Sequence, residues 1–270
     1  MTAVLAALAV GTLVGADTLD RTPGTAPRHN PAAVRLAPHH PPPPSAAAVV
    51  APLEHRLPYV AMGGRRRREV ALTFDDGPGP YTLRLLRVLK RRHVPATFFQ
   101  VGFMVQYFPG AERALRADRA TLLGNHTESH PRLAGTSAAF QAAQVDGALA
   151  AQRAAGVPRD TLFRPPYGLD DATTRAVLRA RGLLTVLWSI DSHDYLRPGT
   201  SKIVARVLDQ ARPGSIVLMH DAGGDRTQTI AALPAIVTSL RRRGYRLVTV
   251  PQLLRDNPPP PRQPRLGGAG

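Results

Sequence analysis

The sequence predicts an α/β fold built on a parallel sheet of about seven strands, and three observations carry that reading. Short apolar runs alternate with longer segments whose apolar residues fall on one helical face, over residues 69–250. Glycine closes several of the helical segments, at Gly156, Gly182 and Gly244. Polar clusters stand where the apolar runs stop, and α/β proteins gather their chemistry at the C-terminal ends of parallel strands.

Taken in order, residues 69–74 read as a buried strand that ends at Asp75-Asp76-Gly77-Pro78. Residues 81–92 set Leu83, Leu86, Val88 and Leu89 against Arg84, Arg87, Lys90 and Arg91, the pattern of a helix with one apolar side. A strand follows at 96–101, a helix at 108–117, a short strand at 121–124 and a long Ala-rich helix at 137–155. The alternation continues with strand 161–163, helix 171–181, strand 183–190 and helix 201–211. Strand 216–219, helix 227–243 and strand 245–250 complete it.

The flanks differ in composition from this core of 67–255. Residues 1–18 read as a signal peptide or a truncated signal anchor: 1–16 are apolar or small, and Val14-Gly15-Ala16 suits a signal peptidase. No Lys or Arg precedes Arg21, and the apolar run is too short to span a bilayer. Residues 19–66 read as a disordered Pro/Ala-rich linker and 256–270 as a loose Pro/Arg/Gly tail, since neither buries enough apolar surface to order itself. The expected location is secreted or cell-surface, with the wall as partner and the N-terminus as a tether if it is not cleaved.

The chain has no cysteine, which excludes disulfides, thiolate metal ligands and a Cys nucleophile. Lys and Arg number 35 against 19 Asp and Glu, and the formal net charge is +16. Such a balance suits an anionic polymer or surface. Only the arginines at 65–68 and 241–243 cluster, aromatic residues are scarce and no nucleic-acid motif is present, so nucleic acid is not an expected partner.

Five strand ends carry polar groups: Asp75 and Asp76; His126 through His130; Arg164 through Tyr167; Asp191 through Tyr195; and His220 with Asp221. His126 and His130 are four apart, so one helical turn would face both imidazoles to one ion. A carboxylate from another strand end would complete a two-histidine, one-carboxylate set with open coordination positions. One aspartate of the pair is then a ligand, and the other is free to take a proton from water. His193 reads as a loop residue, Glu112, Glu128, Asp170 and Asp171 as caps or solvated charges, and Trp188 as core.

In order and spacing, Thr73-Phe74-Asp75-Asp76-Gly77, His126-Thr127-Glu128-Ser129-His130, Arg164-Pro165-Pro166-Tyr167, Asp191 to Tyr195 and Leu218-Met219-His220 resemble the five motifs of the polysaccharide deacetylases, the NodB-homology domains of carbohydrate esterase family 4. The resemblance implies a distorted (β/α) barrel that holds one divalent metal ion and removes acetyl groups from N-acetylated sugars. The ion implied is zinc, with cobalt, nickel or manganese as alternatives. Asp76, His126 and His130 would be its ligands, Asp75 the general base and Arg164 the cation that aims it. His220 would be the general acid, oriented by Asp194 or alternatively by Asp191. The backbone N–H of Tyr167 would support the oxyanion, and Tyr167 with Leu218 would line the acetyl pocket. Tyr195 stands where the family usually has Trp, which alters one wall. The implied substrate is an N-acetylglucosamine polymer, peptidoglycan or chitooligosaccharide, acted on by a monomer. An acetylxylan O-deacetylase and a catalytically silent glycan-binding wall domain are the competing readings.

Overall fold

The computed structural model describes residues 45–158 and 161–265. The expected signal segment, at 1–18, lies outside them, as does most of the expected linker. The helices are α1 (Ala46–Arg56), α2 (Thr82–Arg91), α3 (Gly102–Tyr107), α4 (Pro109–Arg116), α5 (Ala138–Ala154), α6 (Ala172–Arg179), α7 (Thr200–Gln210), α8 (Thr227–Arg242) and α9 (Val250–Asp256). The strands are β1 (Glu69–Asp75), β2 (Ala96–Gln100), β3 (Thr121–Asn125), β4 (Leu162–Phe163), β5 (Leu184–Thr185), β6 (Ile190–Asp191), β7 (Ser215–His220) and β8 (Arg246–Leu247). Every pairing between these strands is parallel.

Seven strands run in the order β5-β4-β3-β2-β1-β7-β6, and β8 pairs only with Glu69 and Val70 of β1. The two outermost strands are consecutive pieces of one run of chain. Its first piece pairs with β4 and its second with β7, so this run closes the curled sheet into the distorted (β/α) barrel that the motifs imply. The expected single strand at 183–190 is therefore split. Between the pieces the carbonyls of Val186 and Leu187 accept from the Arg164 guanidinium at 3.0 and 3.1 Å, and the Leu187 N–H donates to Val60 at 2.7 Å. The ladder breaks because its partners are a side chain and a segment upstream of β1.

Strand alternation sorts the side chains. Val70, Leu72 and Phe74 of β1 point outward with Val217 and Met219 of β7 into the main core, beneath Leu85 and Leu89 of α2 and Leu233 and Ile236 of α8. The opposite parity points into the barrel: Ala71, Phe99, Leu162, Ile216 and Leu218 form a second core there with Trp188. Extending that inner parity to the strand ends brings Asp75, His126, Arg164 and His220 into the lumen. Each buried Leu or Phe contributes about 2 kcal/mol, so the apolar residues of each strand hold the inner row in register.

Within the described residues the flanks are ordered, contrary to the expectation of a loose linker and tail. α1 forms after its N-cap Ser45, whose Oγ accepts from Ala48 N at 3.3 Å, and buries Val50 in the inner core. The last expected strand, 245–250, ends early because Pro251 at its first turn favours α9. Asn257 is fully buried: its Oδ1 accepts from Arg67 N at 2.7 Å and its Nδ2 donates to Glu69 at 2.9 Å. Gln263 Oε1 accepts from the N–H groups of Ala61 and Met62 at 2.8 and 3.0 Å. Truncation after Asp256 is expected to lower the melting temperature by about 10 °C, since roughly four hydrogen bonds of about 1 kcal/mol each are lost from a domain of this size. An unchanged thermal transition would show that the tail carries no stability.

Candidate active site

The barrel mouth is a cavity of about 570 Å³ whose lining includes Asp75, Asp76, His126, His130, Tyr167, Leu218 and His220. Asp75 is the last residue of β1 and keeps its extended backbone. Asp76 leaves it, with φ 76°, and this turns its carboxylate beside that of Asp75 rather than to the opposite face. Gly77 and Gly223 permit the turn, because a Cβ on Gly77 would overlap the Asp221 carboxylate and one on Gly223 the Asp76 carboxylate.

His126 and His130 do come together, but not on a helical turn. The segment between them is irregular, with Thr127 at φ 70° and His130 at φ 60°. Thr127 Oγ1 accepts from His130 N at 3.0 Å, and Asn125 Oδ1 accepts from Thr127 N at 2.9 Å, so side chains of the loop fix its shape. The two rings named from the four-residue spacing are brought together by an irregular loop rather than by the expected helical turn. The ring of Tyr167, itself at φ 62°, lies 4.9 Å from that of His130. Left-handed backbone at several non-glycine residues around one cavity is the kind of strain that functional sites hold.

Asp76 Oδ1 lies 3.6 Å from His126 Nε2 and 3.3 Å from His130 Nε2, and the three ligand atoms fall within 4.8 Å of one another. His126 Nδ1 lies 2.6 Å from the Arg164 carbonyl, which can only accept, so Nδ1 carries the hydrogen and Nε2 is the nitrogen presented to the cavity. Burial, and the like charge of His126, push His130 down to about 4, which keeps it neutral at pH 7 as a ligand must be. Burial would raise the Asp76 carboxyl, but the imidazoles of His126, His220 and His130 around it hold it well below the carboxylate range. Asp76 Oδ1 is buried without a hydrogen-bond partner, an orphan that a bound cation would satisfy. Two imidazoles and a carboxylate with open positions fit a divalent transition metal.

Asp75 is placed differently. Its Oδ1 accepts from Arg164 NH1 at 2.7 Å, and its Oδ2 stays 3.8 Å from His126 Nε2. Arg164 is fully buried: it spends its remaining donors on Thr73 Oγ1, at 2.8 Å, and on the two carbonyls of the split strand. Its guanidinium lies over Phe99, 4.2 Å from the ring centre. Burial lowers its pKa while Asp75 opposes that, and a guanidinium stays charged in any case.

His220, at the end of β7, pairs with Asp194. The Nδ1 to Asp194 Oδ1 distance is 2.7 Å, and Asp194 Oδ2 accepts from His220 N at 2.9 Å and Thr229 Oγ1 at 2.8 Å. Burial would lower His220, yet Asp194, with Asp76 and Asp75 beyond it, pushes it up to about 9. Asp191, the alternative orienting group, turns away: its Oδ1 accepts from His193 N at 2.8 Å, and its Oδ2 lies 3.5 Å from the Tyr195 hydroxyl. The Tyr195 ring stands edge-on to His220 at 5.5 Å. His193 is a loop residue as expected, at φ 53°. Trp188 is buried as expected but also lines the cavity.

Sequence reading missed the groups that hold these residues from behind. Thr229 fixes Asp194; Arg226 donates to the carbonyls of Ala222 and Gly223 at 2.6 and 2.8 Å and holds that loop against Asp76. Asp221 is fully buried, hydrogen-bonded to Thr82, and pushed up to about 7 by burial and by Asp76 and Asp75. For Thr229 and Arg226 the one local signal was Gly223-Gly224 after a strand end, whereas Asp221 stood beside His220 among the polar strand ends. Glu112 is buried rather than solvated, against Gln100, whereas Asp171 caps α6 as expected.

Comparison with known proteins agrees with this geometry. The profile of the family described as polysaccharide deacetylase matches residues 63–186. A peptidoglycan-N-acetylglucosamine deacetylase of Bacillus cereus is 41% identical over 191 residues, which span 69% of this chain and 88% of that protein. A chitooligosaccharide deacetylase of Bradyrhizobium sp. is 39% identical over 201 residues, 69% of this chain and 90% of that one. Among solved structures, the Bc1960 peptidoglycan N-acetylglucosamine deacetylase, in complex with a naphthalenyl N-hydroxybenzamide, superposes with a TM-score of 0.70 at 32% identity. That superposition covers 76% of this chain and 96% of that one.

Proposed function

The chain belongs to the polysaccharide deacetylase family, and we propose that it is a metal-dependent hydrolase removing N-acetyl groups from N-acetylglucosamine-containing polysaccharide, either peptidoglycan or chitooligosaccharide. The observation that carries the reading is the convergence of Asp76, His126 and His130 within one cavity, with an aimed carboxylate on one flank and a protonated imidazole on the other. Asp76, His126 and His130 would hold the ion, zinc in the first place. When bound, a divalent ion supplies Lewis acidity, which polarises a carbonyl and acidifies water.

The chain's own residues do the rest. Asp75 takes a proton from the water that adds to the amide carbon, and the hydrogen bond from Arg164 keeps the receiving oxygen, Oδ2, pointed into the cavity. The Tyr167 N–H donates to the developing oxyanion. His220 is charged at neutral pH and gives its proton to the nitrogen as the C–N bond breaks, leaving acetate and a free amine. Leu218 and Tyr167 bound the space for the acetyl methyl, and Tyr195 forms the wall beside His220. The apolar run at 1–16 supports a secreted or surface-held enzyme acting on the wall.

The test is acetate release from chitooligosaccharide, peptidoglycan and acetylxylan, each with and without chelator, alongside metal analysis of the purified protein. We expect about one divalent ion per chain and release from an N-acetylated glycan that chelator abolishes. Release from acetylxylan alone would overturn the amide reading. No release from any of the three with metal bound would leave a silent binding domain.

A further inference from the structure

We infer that the pole of the barrel opposite the catalytic mouth is a docking surface for an anionic lipid bilayer. The two arginine runs of the sequence meet there: Arg68 Nε and NH2 donate to the Arg243 carbonyl at 3.2 and 2.8 Å, and its guanidinium lies 4.6 Å from the Tyr245 ring. A third basic segment joins them, since Arg241 donates to the His93 carbonyl at 3.0 Å and Arg92 to Thr238 Oγ1 at 3.2 Å.

Topology fixes the pole. Residues 65–68 lead into β1, whose far end is Asp75, while 90–92 and 241–243 are the ends of α2 and α8, where the chain turns back toward β2 and β8. Seven extended residues separate that end from the mouth, about 20 Å. The cations at 65–68, 90–92, 241–243 and 246 number eleven, and all but Arg92 are exposed. Among the described residues the carboxylates they pair with are two: Glu69, buried against Arg246, and Asp256, which Arg67 and Arg246 share with Arg255.

Helix C-termini favour a cation or two by their dipoles, which accounts for Lys90, Arg91, Arg241 and Arg242. It does not account for 65–68, which precede a strand. Charge gathered from three segments around a pole suits an extended anionic surface better than one polymer strand. Residues 1–16 are an apolar run that suits a lipid contact. A short apolar contact holds a membrane only marginally, and a polybasic surface is the second contact that makes attachment stable. Docked on this pole, the protein turns its catalytic mouth away from the bilayer.

The experiment is co-sedimentation of the full chain with vesicles of phosphatidylcholine alone or mixed with phosphatidylglycerol, across a salt series. Binding is expected to the mixed vesicles only, and to fade as salt rises. Replacing Arg65, Arg66, Arg91 and Arg242 by Gln is expected to weaken it about tenfold or more. Replacing Arg84, Arg87, Lys202 and Arg206 by Gln removes equal charge from the helical wall and is expected to change it less than about twofold. Acetate release from soluble oligosaccharide, unchanged in both variants, reports that each is folded. Equal losses in the two variants, equal binding to both vesicle types, or capture by soluble poly(glycerol phosphate) without vesicle binding would each overturn the proposal.

Discussion

Asp75→Asn is expected to lower kcat by about a thousandfold or more, within or beyond the usual range for removing a general base, while the folded protein keeps its metal. The structure separates the two neighbouring carboxylates by what each touches. Asp76 Oδ1 sits between two imidazole nitrogens, whereas Asp75 commits Oδ1 to Arg164. Asparagine can still accept from Arg164 but cannot take a proton from water. It also leaves a buried guanidinium without its counter-charge, so the variant should unfold more easily by about 3 kcal/mol. Metal analysis and kinetics on the folded protein check this. Loss of metal with Asp75→Asn, and its retention with Asp76→Asn, would reverse the two assignments.

Asp194→Asn is expected to move the alkaline limb of kcat/KM downward and to cost more than tenfold at pH 8. In the proposed mechanism His220 must be protonated to act, and with Asp194 beside it the pKa stands at about 9. Any bound dication pulls the other way, so the wild-type limb falls at or below that pH. Without the carboxylate, burial dominates and carries the imidazole below its ordinary value, so the acid is already neutral at pH 8. A folded pKa above the unfolded one stabilises fully below about 6.5 and loses that stability as pH rises toward 9; the variant should lack this slope. The loss should be larger on amides than on activated esters, whose leaving groups need little protonation. A limb that stays in place would remove His220 from the role of acid.

How far the sequence reached can be seen in particular residues. Strand alternation was legible from composition, and since Leu72 and Phe74 must face the helices, Asp75 must face the lumen. The motif pairs were legible for the same reason. The carboxylate that orients His220 came from the resemblance alone, Asp194 first with Asp191 as its alternative, because nothing in a short loop says which side chain reaches a neighbouring strand. α1 and the chain beyond Asp256 were not legible at all. Their order rests on Val50 entering the inner core and on the amides of Asn257 and Gln263 bonding to backbone far upstream, contacts that leave no local trace. The split of the run 184–191 was hidden likewise, since its cause is a side chain from β4's end.

That split has an engineering consequence. One guanidinium both holds the Asp75 carboxylate, the proposed proton acceptor, and plugs the gap in the wall, so reactivity and mechanical integrity cannot be adjusted separately at residue 164. Lysine there could keep the charge yet would lose the fork that reaches two carbonyls and a carboxylate together. Altering the pull on the base therefore calls for paired changes, one at the cation and another that re-seals the opening beside Val186.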